Sequence, residues 1–223
     1  MPKIEIKGDI VDNDTAVIYR WWGYDSTSPN KVNRQLTEAN GEPVTIEINS
    51  PGGHVDAGSE IYTALKNYPG HVTVEVVGLA ASAASVIAMA GDEVKISPTA
   101  EIMIHNAWMT TSGDKNSKSK DAKVLSSTDE GLVNAYEIKT GKSREELLAL
   151  MDEETWMNAQ QAVELGFADE IMFTGTRRLV ASNQMKLTPE MIIKTQAMMA
   201  EELVETPEEP KQKSFLEKLR KGE

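Results

Sequence analysis

The chain has no cysteine, which excludes a disulfide framework, a thiolate nucleophile and any thiolate-bound metal. Aromatic residues are sparse at 5%, and histidine occurs only three times, so the candidates for a general base near neutral pH can be counted quickly. Basic side chains are outnumbered, 23 Lys and Arg against 35 Asp and Glu. The resulting net charge of −12 argues against a nucleic-acid partner, since phosphate backbones are held by Lys and Arg surfaces. No apolar run approaches the roughly 20 residues that span a bilayer, so no membrane partner is expected. The start, Met1-Pro2-Lys3-Ile4-Glu5-Ile6, passes straight into an alternating pattern and lacks the regions of a secretion signal. Together these absences give the expectation of a cytoplasmic protein acting on proteins or small molecules.

What is present fits an α/β domain. At 223 residues, with 40% hydrophobic and 26% charged residues, the chain is long enough for one sizeable core and an appendage. Lys3 to Ile10 alternates like a strand, and Asp12 to Trp22 has helical spacing with Gly23 as its stop. A turn over Tyr24 to Ser28 leads to a helix from Pro29 that stops at Asn40-Gly41. Pro43 to Ile48 is β-branched and runs into the turn formers Asn49-Ser50-Pro51-Gly52-Gly53. A helix over Ala57 to Tyr68 follows, then a strand over Val72 to Val77, the small-residue run Gly78 to Ser85, and an apolar helix ending at Gly91.

Short strands are expected at Glu93 to Ile96 and at Ile102 to Ile104. The polar, Lys- and Ser-rich stretch from Thr110 to Lys123 reads as an extended surface loop, with a long helix from about Asp121 to Thr140 whose apolar stripe is incomplete. Ser143 and Glu146 form a capping box for a helix through Met151. Asn158 to Gly166 reads as a further helix, and Glu170 to Phe173 as a closing strand. Residues 1–175 thus form one domain. Residues 176–223 form a helical, acidic appendage, with a helix start at Thr188-Pro189 and five Glu between Glu201 and Glu209.

Strands alternating with crossover helices predict a parallel, helix-covered sheet whose chemistry lies beyond the strand C-termini. Both Gly-rich loops occupy that position. Ser82 sits at a strand-to-helix turn among Ala and Gly neighbours, where a nucleophilic hydroxyl can be exposed. His105 closes the apolar strand Ile102-Met103-Ile104 and so faces the same edge, whereas His54 and His71 follow glycines in loops. No histidine pair has metal-ligand spacing, so neither a metal nor a cofactor is expected.

Ile48-Asn49-Ser50-Pro51-Gly52-Gly53, Gly78-Leu79-Ala80-Ala81-Ser82, Met103-Ile104-His105 and the segment Trp156 to Asp169 occur in that order. Together they resemble the proteolytic subunit family of Clp serine peptidases, over roughly residues 1–173. Trp21-Trp22-Gly23-Tyr24, Ala80 to Gly91, Asn106-Ala107-Trp108 and Glu154-Thr155-Trp156 are closer to the phage and prophage branch of head maturation proteases.

The resemblance implies a ClpP/crotonase-like fold with a helical handle. It makes Ser82 the nucleophile and His105 the base, and it takes the N–H groups of Gly53 and Ala83 as the oxyanion hole. Glu154 falls where the family has an Asp, two places before the aromatic, with Asp152 or Glu153 as alternatives. A peptide would add as a strand between Gly53-His54-Val55 and the residues from Thr110 to Gly113, making His54, Val55 and Thr110 substrate contacts. The partners implied are a protein substrate, a capsid or scaffold protein in the phage reading, and further copies of the chain, arranged as a ring. The glycine-rich strand that the family uses between rings is replaced by Thr110 to Lys120, and the N-terminus begins at the first strand, so ATP-independent proteolysis is expected. At this stage a crotonase-like acyl-CoA enzyme and a non-catalytic assembly scaffold both remain open.

Overall fold

The computed structural model describes residues 1–174. The expected appendage of residues 176–223 lies outside the described residues. Strand β1 (Lys3–Lys7) leads through the two-residue β2 (Asp9–Ile10) into helix α1 (Asn13–Trp22). The Asp12 side chain accepts the N–H groups of Asp14 and Thr15 at its start, and Gly23, at φ 75°, ends it. The expected turn after it contains a second short strand, β3 (Ser26–Thr27), paired parallel to β2. Helix α2 (Pro29–Ala39) has proline in its first turn and stops at Asn40 in the left-handed region.

Strand β4 (Val44–Ser50), helix α3 (Val55–Lys66), strand β5 (Val72–Ala81), helix α4 (Ala83–Ala88) and strand β6 (Glu93–Ile96) then alternate. They are followed by strand β7 (Glu101–Ile104), the long helix α5 (Lys115–Thr140), helix α6 (Arg144–Asp152), strand β8 (Thr155–Asn158), helix α7 (Ala159–Glu164) and strand β9 (Glu170–Ile171). The main sheet has seven strands. Five run in the order β1-β4-β5-β6-β9, and β7 pairs with both β5 and β8. All its pairings are parallel except β7–β8. This is the parallel, helix-covered α/β sheet expected from the sequence, with the one antiparallel ladder added by β8.

The core follows from the strand sequences. Ile46, Ile48, Val74, Val76, Ile96, Ile102 and Ile104 are fully buried, and Ile61, Leu65, Ile87 and Tyr136 close over them from the helices. Each such side chain contributes about 1.5–3 kcal/mol on leaving water. Among the described residues no helix is long and apolar enough to cross a membrane.

Strand β5 is the element that builds the site. It runs to Ala81, so Gly78 lies in the strand and the expected run of small loop residues is largely extended chain. The first half of β5 pairs with β6 (Thr73 with Glu93 through Val76 with Ile96), and its last residues pair with β7 (Leu79 with Glu101, Ala81 with Met103). The C-terminal ends of β4, β5 and β7 therefore come out side by side.

The boundary of α5 differs from expectation. The helix begins at Lys115, with the Asp114 carboxylate accepting the Asn116 and Ser117 N–H groups, so much of the polar stretch read as a loop is helical. Lys and Ser resemble loop composition, yet nothing between Gly113 and Gly131 breaks a helix once Asp114 caps it.

Candidate active site

The loop after β4 is shaped by close approach. A Cβ on Gly52 would lie 2.6 Å from the Ala81 carbonyl oxygen and 2.7 Å from Ser82 Cβ. One on Gly53 would lie 2.1 Å from the Ile10 oxygen. Both glycines also have positive φ, 98° and 146°, so no other residue fits without moving the backbone. The loop is pinned on its outer side by β2. Ile10 N–H donates to Gly52 O and His54 N–H to Ile10 O, both at 2.8 Å. Beneath the loop the buried Ser50 hydroxyl donates to Gly8 O at 2.6 Å and accepts Gly52 N–H at 3.1 Å.

Ser82 forms the turn between β5 and α4. Its φ of 53° and ψ of −124° are unusual for an L residue and cost roughly 1–3 kcal/mol, which the packing around it has to offset. Its N–H is tied to Met103 O at 2.9 Å, which locks the turn onto β7. Two residues beyond Met103, the half-buried His105 places Nε2 2.8 Å from Ser82 Oγ. This is hydrogen-bond distance for a base taking a serine proton. Among the described residues, neither Gly53 N–H nor Ala83 N–H is taken by a protein acceptor. Ser82, His105, Gly53 and Ala83 all border one cleft of about 620 Å³.

Of the expected substrate contacts, His54 and Val55 line that cleft and Thr110 does not; Thr110 is exposed on the segment between β7 and α5. The His54 Nδ1 lies 3.5 Å from an Asp12 carboxylate oxygen. Trp108, 76% exposed, stands at the rim.

The candidate acid, Glu154, is not hydrogen-bonded to His105. The last pair of the β7–β8 ladder is Ile104 opposite Thr155; Glu154, at φ 51°, lies just outside it, so Glu154 and His105 each adjoin that pair. The Glu154 carboxylate itself accepts from Trp156 Nε1 at 3.3 Å, a long bond between two exposed side chains. Among the described residues no carboxylate oxygen lies within 4.0 Å of a His105 ring nitrogen.

Two other acids hold the segment that carries His105. Asp152 accepts from Asn106 Nδ2 at 2.6 Å, and Asp129 accepts Ala107 N–H at 2.7 Å. Burial raises the Asp129 carboxyl above its ordinary value; the Ala107 hydrogen bond opposes this and the nearby Asp152 charge adds to it.

The chain as a whole is similar to known proteins. The family model described as Clp protease matches residues 16–175. The chain belongs to the Clp protease family. Among its relatives, the ATP-dependent Clp protease proteolytic subunit 1 of Chlamydia muridarum is 34% identical over 161 residues, covering 70% of this chain and 78% of the relative. The subunit of the same name from Protochlamydia amoebophila is 32% identical over 170 residues, covering 74% and 77%. A solved ClpP1 mutant from Listeria monocytogenes superimposes with a TM-score of 0.64 at 26% identity, covering 77% of this chain and 91% of that one. The chain is thus a serine peptidase of the Clp type, a hydrolase of peptide bonds, and the acyl-CoA and scaffold readings are set aside.

Sequence reasoning missed Asp129 and the pair Ser85–Tyr136. Ser85 is buried, and its Oγ donates to Ser82 O at 2.6 Å and lies 2.8 Å from Tyr136 Oη. The hydroxyls at both positions were the only signal available, and neither carries partner information by itself.

Proposed function

We propose that the chain is a serine endopeptidase in which Ser82 is the nucleophile, His105 the general base, Glu154 the orienting acid, and the N–H groups of Gly53 and Ala83 the oxyanion hole. The observation that carries this reading is the 2.8 Å contact between His105 Nε2 and Ser82 Oγ at a strained turn in the cleft.

In this scheme Ser82 Oγ attacks the scissile carbonyl carbon as its proton moves to His105 Nε2. The carbonyl oxygen becomes an oxyanion that accepts from the two N–H groups, and its collapse breaks the C–N bond as His105 returns the proton to the leaving amine. Water then attacks the acyl-enzyme, His105 takes its proton, and Ser82 leaves with that proton restored. Nε2 accepts only when the imidazole proton is on Nδ1. A carboxylate from Glu154 favours that tautomer. The peptide enters as an extended strand along Gly53-His54-Val55.

The narrower assignment is ATP-independent cleavage of a phage capsid or scaffold protein during head maturation, in the cytoplasm of the host cell. It is supported by the Trp21-Trp22-Gly23-Tyr24 and Glu154-Thr155-Trp156 motifs. Self-association, a ring being the expected form, is supported by exposed apolar side chains on two helices: Val17, Ile18, Trp21 and Trp22 on α1, and Val124 and Ile138 on α5.

The test is co-expression with candidate capsid and scaffold proteins, followed by mass spectrometry of the products with and without ATP, for the wild type and Ser82→Ala. New termini that appear with the wild type, are lost in Ser82→Ala and do not require ATP are expected. Cleavage that survives Ser82→Ala overturns the nucleophile, and cleavage that requires ATP overturns the narrower assignment.

A further inference from the structure

Ser85 and Tyr136 form a buried hydrogen-bonded chain that ends on the carbonyl of the candidate nucleophile. They are 0% and 1% exposed and come from different helices, α4 and α5. Ser85 Oγ donates its one proton to Ser82 O at 2.6 Å, so in the 2.8 Å contact between the two hydroxyls Tyr136 is the donor. Burial pushes the Tyr136 phenol well above its ordinary pKa, which keeps that donor protonated. The chain therefore runs in one direction, from the Tyr136 O–H to Ser85 Oγ and from the Ser85 O–H to Ser82 O. Hydrogen bonds linked in this way polarise and strengthen one another.

The consequence lies on the other side of the same peptide unit. Peptide groups are planar and trans, so the Ser82 C=O and the Ala83 N–H point in opposite directions from one rigid plane. Whatever fixes the carbonyl also aims the N–H. Ser82 O accepts three donors, Ser85 N–H at 2.9 Å, Val86 N–H at 3.3 Å and the Ser85 hydroxyl, which is the shortest. A helical serine often bonds a carbonyl in its own preceding turn with no further meaning. Here a second buried hydroxyl arrives from 51 residues away to hold it, and Tyr136 is itself seated against Phe167 at a ring separation of 5.6 Å.

We infer that Ser85 and Tyr136 are positioning residues: they hold the Ser82–Ala83 peptide plane so that Ala83 N–H points at the developing oxyanion. The inference rests on the assignment of Ser82 and Ala83 proposed above. It predicts a loss confined to the transition state, because substrate binding along Gly53-His54-Val55 does not use this plane.

The experiment measures peptide hydrolysis and inhibition by a peptide aldehyde, whose adduct with a serine carries the tetrahedral oxygen, in the wild type, Ser82→Ala, Ser85→Ala and Tyr136→Phe. For Ser85→Ala kcat is expected to fall by about 10-fold or more, less than the ~10²–10³ for losing an oxyanion donor outright. KM stays within about 2-fold, and aldehyde affinity weakens in proportion to kcat, as for an interaction made only in the transition state. Tyr136→Phe keeps the ring in its place and removes only the donor, so it gives a smaller loss of the same kind. Thermal melting of each variant separates this from unfolding.

Unchanged kcat and aldehyde affinity in folded Ser85→Ala and Tyr136→Phe, with Ser82→Ala inactive, overturns the positioning role alone. A rise in KM with kcat unchanged also overturns it. Hydrolysis that persists in Ser82→Ala overturns the underlying assignment instead.

Discussion

Asp129 on α5 accepts the N–H of Ala107 at 2.7 Å and so ties this long helix to the segment that carries His105. The carboxyl is held above its ordinary value chiefly by burial. A group whose folded pKa is raised disfavours folding once ionised. Below the unfolded value of about 3.9 both states are protonated and nothing is lost. As pH rises from there to the raised folded value the unfolded state releases its proton first, so stability falls, and above that window the loss is constant. Asp129→Asn retains an oxygen acceptor for Ala107 and does not titrate. The melting temperature of Asp129→Asn minus that of the wild type is therefore expected to become more positive between pH 3 and 7. A difference that stays flat or declines over that range contradicts the burial of Asp129.

Glu154, Asp152 and Asp129 compete for the role of acid beside His105, and three variants separate them. Glu154 and His105 each adjoin the last pair of the β7–β8 ladder, whereas Asp152 and Asp129 act on the adjoining Asn106 and Ala107. Glu154→Gln is expected to lower kcat by ~10² or more, as loss of the carboxylate that fixes a catalytic imidazole does elsewhere. Asp152→Asn and Asp129→Asn should each change it by less than about 10-fold. Trp156→Phe, which removes the indole donor that occupies Glu154, should leave kcat at or above the wild-type level. Steady-state kinetics with a peptide substrate decides the matter; a mild Glu154→Gln beside a severe Asp152→Asn would move the acid to Asp152.

How much of this was legible in the sequence depends on how far apart the interacting residues are. Gly52-Gly53, Ser82 and His105 were readable because each closes a strand of its own, and a parallel sheet brings such ends together. Strand β8 was not, because Thr155-Trp156-Met157-Asn158 is short, lies between two helices, and is defined only by its pairing with β7. Glu154 could be named from its spacing to Trp156, but its place beside the end of the strand that His105 follows needs that same ladder. The start of α5 was hidden by composition, since Lys and Ser say little about backbone state when the cap at Asp114 is overlooked. Asp129 with Ala107 and Tyr136 with Ser85 are 22 and 51 residues apart, and neither pair leaves a periodic trace.

The glycines offer a last contrast, because the same substitution should act in opposite directions at two of them. Gly131 lies within α5, is exposed, and a Cβ there would meet nothing within 4 Å. Glycine in a helix interior costs about 0.5–1 kcal/mol relative to alanine, so Gly131→Ala should raise the melting temperature by about 1–4 °C. At Gly52 the added Cβ meets the Ala81 oxygen and Ser82 Cβ at 2.6 and 2.7 Å, both parts of the strained turn, and φ is 98°. Backbone atoms there cannot yield as the end of a flexible side chain would. The turn itself must move, taking Ser82 Oγ from His105 Nε2. Gly52→Ala should therefore slow labelling of Ser82 by a fluorophosphonate by about 10²-fold while the protein stays folded, since a misplacement of about 1 Å costs that much. Labelling at the wild-type rate in Gly52→Ala would mean that the loop after β4 does not support the nucleophile.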